Sequence, residues 1–208
     1  MSANRRNQSL YTMSSKKVEK QDTRRTILEA ARDLLENPQS GIPSIGQVAT
    51  RAGVSRQAVY LHFPSRAELL IEAIRFIDEE HGLPGRLEGI YSEKNGPSML
   101  DRCVEVWGEY LPHIQGISAA LLEMRDSDES VAEAWQETVR CLSEVCRDCI
   151  RRLASEGKLA SDWDESRATS LMAGMLSIPC WDELRRGGWS TETYVMNMKL
   201  AVRRVFVR

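Results

Sequence analysis

The sequence predicts an all-α fold of about nine helices, a small N-terminal helix-turn-helix unit followed by a larger helical body. Three observations lead there. Apolar residues recur every three to four positions through most of the chain, no stretch alternates with a period of two, and residues 44–64, SIGQVATRAGVSRQAVYLHFP, write two short helices separated by a three- to four-residue break. At 208 residues, 42% hydrophobic and 28% charged, the chain suits one or two compact units.

Residues 1–21 place Arg5, Arg6, Lys16, Lys17 and Lys20 among Ser, Asn and Gln with almost no apolar periodicity. They read as a disordered basic arm, either lying along a polyanion or simply solvated. A first helix is expected from residue 22 or 23 to 37, with Ile27, Leu28, Ala31, Leu34 and Leu35 as its stripe and Asn37-Pro38 as its stop. In the second, Ile45, Val48, Ala49 and Ala52 pack inward and Gly53 supplies the left-handed terminator. Gly46 weakens its start.

Ser55 caps the third helix, although no acidic or amide residue follows to complete a capping box. At 100° per residue, Arg56, Gln57, Tyr60 and Leu61 fall within an arc of about 140°, with Val59 opposite. One face therefore carries a cation, an amide, a phenol and an apolar tip. In a DNA major groove, Arg reads guanine, Gln reads adenine, and an apolar tip meets a thymine methyl. Ser65 caps a fourth helix, which runs through Ile71, Ile74 and Ile77 to about Glu80.

These residues resemble the tetracycline-repressor (TetR) family of bacterial transcription regulators. The first helix reads ILEAARDLL from Ile27 to Leu35, an apolar-small second helix runs from Ile45 to Ala49, and the turn is AGVS from Ala52 to Ser55. The recognition helix contains YLHF from Tyr60 to Phe63, and Arg66 precedes Glu68, Leu69 and Leu70. The resemblance covers about residues 22–75. It implies a DNA-binding domain at residues 22–66 and a helical effector-binding and dimerisation domain at residues 67–208. It also implies that Ser44, Ser55, His62 and Arg66 touch or orient phosphate, and that the fourth helix transmits a ligand signal.

A loop rich in Gly and Pro is expected between His81 and Pro97. Helices should follow over residues 98–110, 112–125, 127–156, 164–184 and 191–206. The last two are apolar over broad arcs: Ala168, Leu171, Met172, Met175, Leu176 and Ile178 in one, Tyr194, Val195, Met198, Ala201, Val202, Val205 and Phe206 in the other. Homodimers of the resembled family form a four-helix bundle from such a pair. Two-fold symmetry would then ask for a roughly palindromic operator with half-sites about 34 to 36 Å apart. The family's members often bind a small molecule in the body and release DNA. Trp107, Tyr110, His113, Met124, Trp135, Met172 and Met175 lie on the helices that would wall that cavity, and such groups suit a small apolar or aromatic effector.

Net charge is -2, but residues 1–66 hold eleven Lys or Arg against five Asp or Glu, and the remainder 17 against 25. The basic end is the helix-turn-helix end, as counterion release from DNA requires. No secretory or membrane segment is visible, which gives a cytoplasmic expectation consistent with five unpaired-looking cysteines. Cys141, Cys146 and Cys149 on one helix raise redox sensing as a lesser reading, but they share the buried stripe with Trp135, Leu142 and Ile150. No phosphate loop, dinucleotide fingerprint or zinc motif supports an enzyme, a cofactor or a metal. The alternative left standing is an architectural DNA-binding protein that needs no ligand.

Overall fold

The computed structural model describes residues 21–37 and 41–208. The basic arm expected over residues 1–21 thus lies outside the described residues except for Gln21, which is already helical. Ten helices are described: α1 (21–35), α2 (Ile45–Ala52), α3 (Arg56–His62), α4 (Arg66–Glu80), α5 (Leu83–Tyr91), α6 (Gly96–Met124), α7 (Glu129–Ser155), α8 (Glu165–Met175), α9 (Ile178–Arg186) and α10 (Thr191–Phe206). Among the described residues the sole β-type pairing is an isolated bridge between Leu159 and Val207, which holds the C-terminus to the α7–α8 loop.

Ser55 and Ser65 cap α3 and α4 as expected. Ile27, Leu28, Ala31 and Leu35 of α1 are buried, Leu34 only partly. Ser44 starts α2 with a full capping box, which sequence reading missed: its hydroxyl accepts from the Gln47 amide, and the Gln47 side chain accepts from the Ser44 amide at 2.9 Å. Gly53 ends α2 at φ 68°, the left-handed conformation that costs glycine nothing.

Three boundaries in the body differ from expectation. The Gly- and Pro-containing segment after His81 is helical: Gly82 turns the chain at φ 68°, Pro84 occupies the first turn of α5, and Leu83, Leu87 and Ile90 form an apolar i, i+4, i+7 row. The two helices expected over 98–110 and 112–125 are one, α6, with Pro112 inside it. Proline removes one ladder hydrogen bond, yet Leu111 before it and Ile114, Ile117 and Leu121 beyond it stay on one buried stripe, and packing carries the helix through. Conversely, the helix expected over 164–184 divides into α8 and α9. Ser177 caps α9 by accepting from the Cys180 amide, and Pro179 in its first turn keeps Ile178 at the start of a new helix rather than the middle of an old one.

Helix α6 forms the axis of the body, packed by α5, α7 and α10, while α7 also packs on α4 and α8. Helix α4 therefore belongs to both parts of the molecule. Toward α1 it is tied by Arg24–Glu72 and by Arg32–Glu80 at 2.7 Å; toward α7 it is tied by Arg75–Glu137 at 2.6 Å and by Arg66–Asp128. Among the described residues no helix is long and apolar enough to cross a membrane.

Candidate DNA-binding face and ligand cavity

Helix α3 is seated by Val59, which is fully buried, and by Phe63 just beyond its end. With Val59 inward, the geometry of a helix turns Arg56, Gln57, Tyr60 and Leu61 outward, and all four are exposed, Tyr60 at 51% and Leu61 at 73%. Ser55 accepts from the Ala58 amide at 3.1 Å. His62 is half-buried, with its ring 6.4 Å from that of Phe63.

The Arg56 guanidinium lies against α2. A Cβ built on Gly46 would stand 2.6 Å from an Arg56 terminal nitrogen, so glycine there is the opening that lets the side chain lie flat. The residue that weakens α2 in the sequence thus positions the leading cation of α3. Together Ser44, Gly46, Gln47, Thr50, Arg51 and Arg56 line one open groove beside the α3 N-terminus.

Arg66 is engaged within the chain. Its Nε donates to the Pro43 carbonyl at 3.0 Å, one terminal nitrogen donates to the Ile42 carbonyl at 3.2 Å, and the other pairs with Asp128. The reason lies in its place at the junction, where the Ile42 and Pro43 carbonyls and the N-cap carboxylate of α7 converge on the first residue of α4.

Behind α4 lies a largely apolar cavity of about 80 Å³, walled by α4, α5, α6 and α7. Ile71, Ile74 and Ile77 form one side and Ile114, Ile117 and Leu121 another, with the rings of Trp107 and Tyr110 6.0 Å apart between them. The polar exceptions are few. Asp78 accepts a hydrogen bond from the Tyr110 hydroxyl, Arg75 is held between Glu72 at 2.8 Å and Glu137 at 2.6 Å, and Ser118 and Thr138 complete the set. Burial, opposed by the Tyr110 hydrogen bond, holds the Asp78 carboxyl above the usual carboxylate range. Burial also pushes the Tyr110 phenol up.

Residues 27–73 match the family model described as bacterial regulatory proteins, tetR family. The nucleoid occlusion factor SlmA of Vibrio cholerae is 35% identical over 141 residues, 65% of this chain and 68% of that protein. The chain belongs to the tetR family. It is a helix-turn-helix DNA-binding regulator. NalD of Pseudomonas aeruginosa, the secondary repressor of the MexAB-OprM multidrug efflux pump, superposes with a TM-score of 0.64 at 25% identity, over 91% of this chain and 98% of that one. A TetR-family regulator from Rhodococcus sp. shares the fold with a TM-score of 0.69 at 20% identity, over 89% and 98%.

Of the residues expected to line a tetR-type ligand cavity, Trp107 and Tyr110 do. The others lie elsewhere. His113 is exposed on α6 and stacks on His81, with ring centroids 4.8 Å apart, outside the cavity. Trp135 lines a neighbouring crevice between α7, α8 and α9, under the Arg125 guanidinium. Met124 is half-buried near the end of α6, Met172 is fully buried in the core, and Met175 packs on the core from α8; none of them reaches the cavity. Asp78 and the isoleucines of α4 were missed because the stripe of α4 reads equally well as ordinary core, and α5 because its Gly and Pro read as loop.

The cysteines also sort differently. Cys141 is exposed at the cavity wall rather than buried with its neighbours, whereas Cys146 and Cys149 are fully buried and meet Cys103 of α6. Contact with Cys103 and burial both push the Cys146 and Cys149 thiols up, which disfavours the reactive thiolate. Among the described residues no group of three His, Cys, Asp or Glu side chains is arranged to hold a metal ion.

Proposed function

We propose that this chain is a homodimeric repressor acting in the cytoplasm, binding a short palindromic operator and leaving it when a small molecule fills the cavity. The division of labour would set residues 22–66 on DNA and 67–208 on effector and partner. One observation carries the reading: α4, whose first residue follows three positions after the last buried anchor of the recognition segment, also supplies Ile71, Ile74, Ile77 and Asp78 to the cavity wall. A ligand that moves α4 therefore moves the recognition helices, and a shift of a few ångströms spoils their match to half-sites fixed by the duplex.

In this reading Arg56, Gln57 and Tyr60 meet base edges or their immediate surroundings and Leu61 a thymine methyl, while Ser44, Ser55 and His62 face phosphate. Arg66 becomes a strut between the two parts. The dimer would use the outer faces of α8 and α10, where Leu171, Met196 and Leu200 stand exposed and Met175, Val195, Ala201 and Val205 are half-buried. Fluorescence anisotropy on DNA flanking the protein's own gene, against a scrambled duplex across a salt series, tests the reading. Tight sequence-selective binding with a steep salt slope is the expected result, and equal weak binding to both duplexes would defeat it.

The relatives named nucleoid occlusion factors favour a second reading, in which DNA binding serves nucleoid occlusion and needs no effector. Many dispersed binding sites in a chromosome-wide occupancy map, unaltered by any cavity ligand, would select it.

A further inference from the structure

We propose that the cavity takes an organic cation, a protonated amine or quaternary ammonium on an apolar or aromatic body, with the Asp78 carboxylate and the Trp107 and Tyr110 rings as its receptor. This rests on the cavity being the effector site and names the class of effector.

The lining is apolar apart from a handful of groups, and those groups carry an unbalanced charge. Arg75 is the only cation among the described lining residues, and it is already shared by Glu72 and Glu137. Of the two lining carboxylates, Glu137 is held by Arg75 at 2.6 Å and by Arg140 at 2.7 Å, which leaves Asp78 as the one without an ion pair. Among the described residues Asp78 forms no ion pair; His81 and Arg75 act on it through the field alone, against the opposing charge of Glu79. Its one hydrogen bond comes from the Tyr110 hydroxyl, and an ionised carboxylate can accept about four.

A partly buried carboxylate with one neutral donor and no counter-ion is a site short of a positive charge. That shortage is visible in the carboxyl itself, which burial has pushed toward its neutral form. An incoming cation supplies the missing charge, and the aromatic faces of Trp107 and Tyr110 stabilise the same charge through their quadrupoles. The indole of Trp107 is fixed for this by donating to the Leu176 carbonyl at 2.6 Å, and Tyr110 by its bond to Asp78. An anion would meet the unpaired Asp78 carboxylate, while the one lining guanidinium, Arg75, is already taken by Glu72 and Glu137.

The test titrates the full-length protein calorimetrically with three probes of one shape: phenylbutylamine, phenylbutanol and phenylbutanoate at neutral pH. DNA affinity is followed in parallel by anisotropy. The expected result is binding of the amine at least about tenfold tighter than the alcohol, with the acid weakest. Asp78→Asn, which keeps an acceptor for Tyr110, is expected to bring the amine-to-alcohol ratio near one while the alcohol still binds, and that ratio is insensitive to general loosening of the cavity. Equal binding of amine and alcohol by the unaltered protein, a preference that survives Asp78→Asn, or no binding by any probe would overturn the proposal. Selective amine binding that leaves DNA affinity unchanged would establish the cation site and remove the effector reading instead.

Discussion

Arg66, the first residue of α4, is paired with Asp128, the residue that caps α7. Asp128 does two things with one carboxylate: one oxygen accepts from the Ser130 and Val131 amides at 3.0 and 3.3 Å, and the other binds the guanidinium. Asp128→Ala removes both and is expected to cost about 1 to 2 kcal/mol in urea unfolding. Asp128→Asn keeps the cap and is expected to cost less. If the two variants are equally destabilised, the cap contributes nothing and the ion pair carries the whole effect.

Because Arg66 is engaged with Pro43, Ile42 and Asp128, Arg66→Ala is expected to weaken binding to specific and scrambled DNA alike while leaving the salt slope unchanged. A slope that falls by about one would mean that the guanidinium leaves these partners for a phosphate when DNA binds.

Gly46 and Arg56 form a second pair. Gly46→Ala adds helix propensity, and the Cβ it introduces meets the far end of a flexible side chain, so the protein is expected to be as stable as before or slightly more so. The displaced Arg56 should then alter preference at a single base. Arg56→Ala, by comparison, is expected to lose about 1 to 3 kcal/mol on the specific site and little of its selectivity elsewhere. Equal losses on specific and scrambled duplexes would contradict a base-reading role.

Gly108 shows where the body tolerates no added atom. A Cβ there would stand 2.6 Å from Val195 Cγ2 and 3.0 Å from the Tyr194 ring, both on α10. Gly108→Ala is expected to destabilise by about 1 to 3 kcal/mol through overpacking, read as a lower urea midpoint. An unchanged midpoint would show that α10 can retreat.

Acid should undo the joint between α6 and α7 through Glu156. Arg152 at 2.6 Å, then Lys158 at 2.8 Å and the Gly96 amide at 2.9 Å, hold its carboxyl down at about 2, from an ordinary 4.5. The folded value is below the unfolded one. Its contribution to stability is therefore complete above about 4.5 and lost as pH falls through 2. Glu156→Gln is expected to flatten the dependence of the unfolding midpoint on pH across that window, and an unaltered acid limb would mean that other carboxylates govern it.

The sequence by itself determined the helix-turn-helix. Gly53 at a left-handed φ, Ser55 as a cap, Val59 inward and Arg56, Gln57, Tyr60 and Leu61 outward all fall between residues 53 and 61, the range over which capping, backbone conformation and helical period act. The tertiary structure decided what those residues touch. Gly46 reads as a defect until Arg56 lies across it, and Arg66 reads as a phosphate ligand until Asp128, 62 residues away, arrives beside it. The single long α6 through Pro112 and the cavity around Asp78 have the same origin. Local preference at each is a matter of about 1 to 3 kcal/mol, and burial of a continuous apolar stripe against distant helices outweighs it.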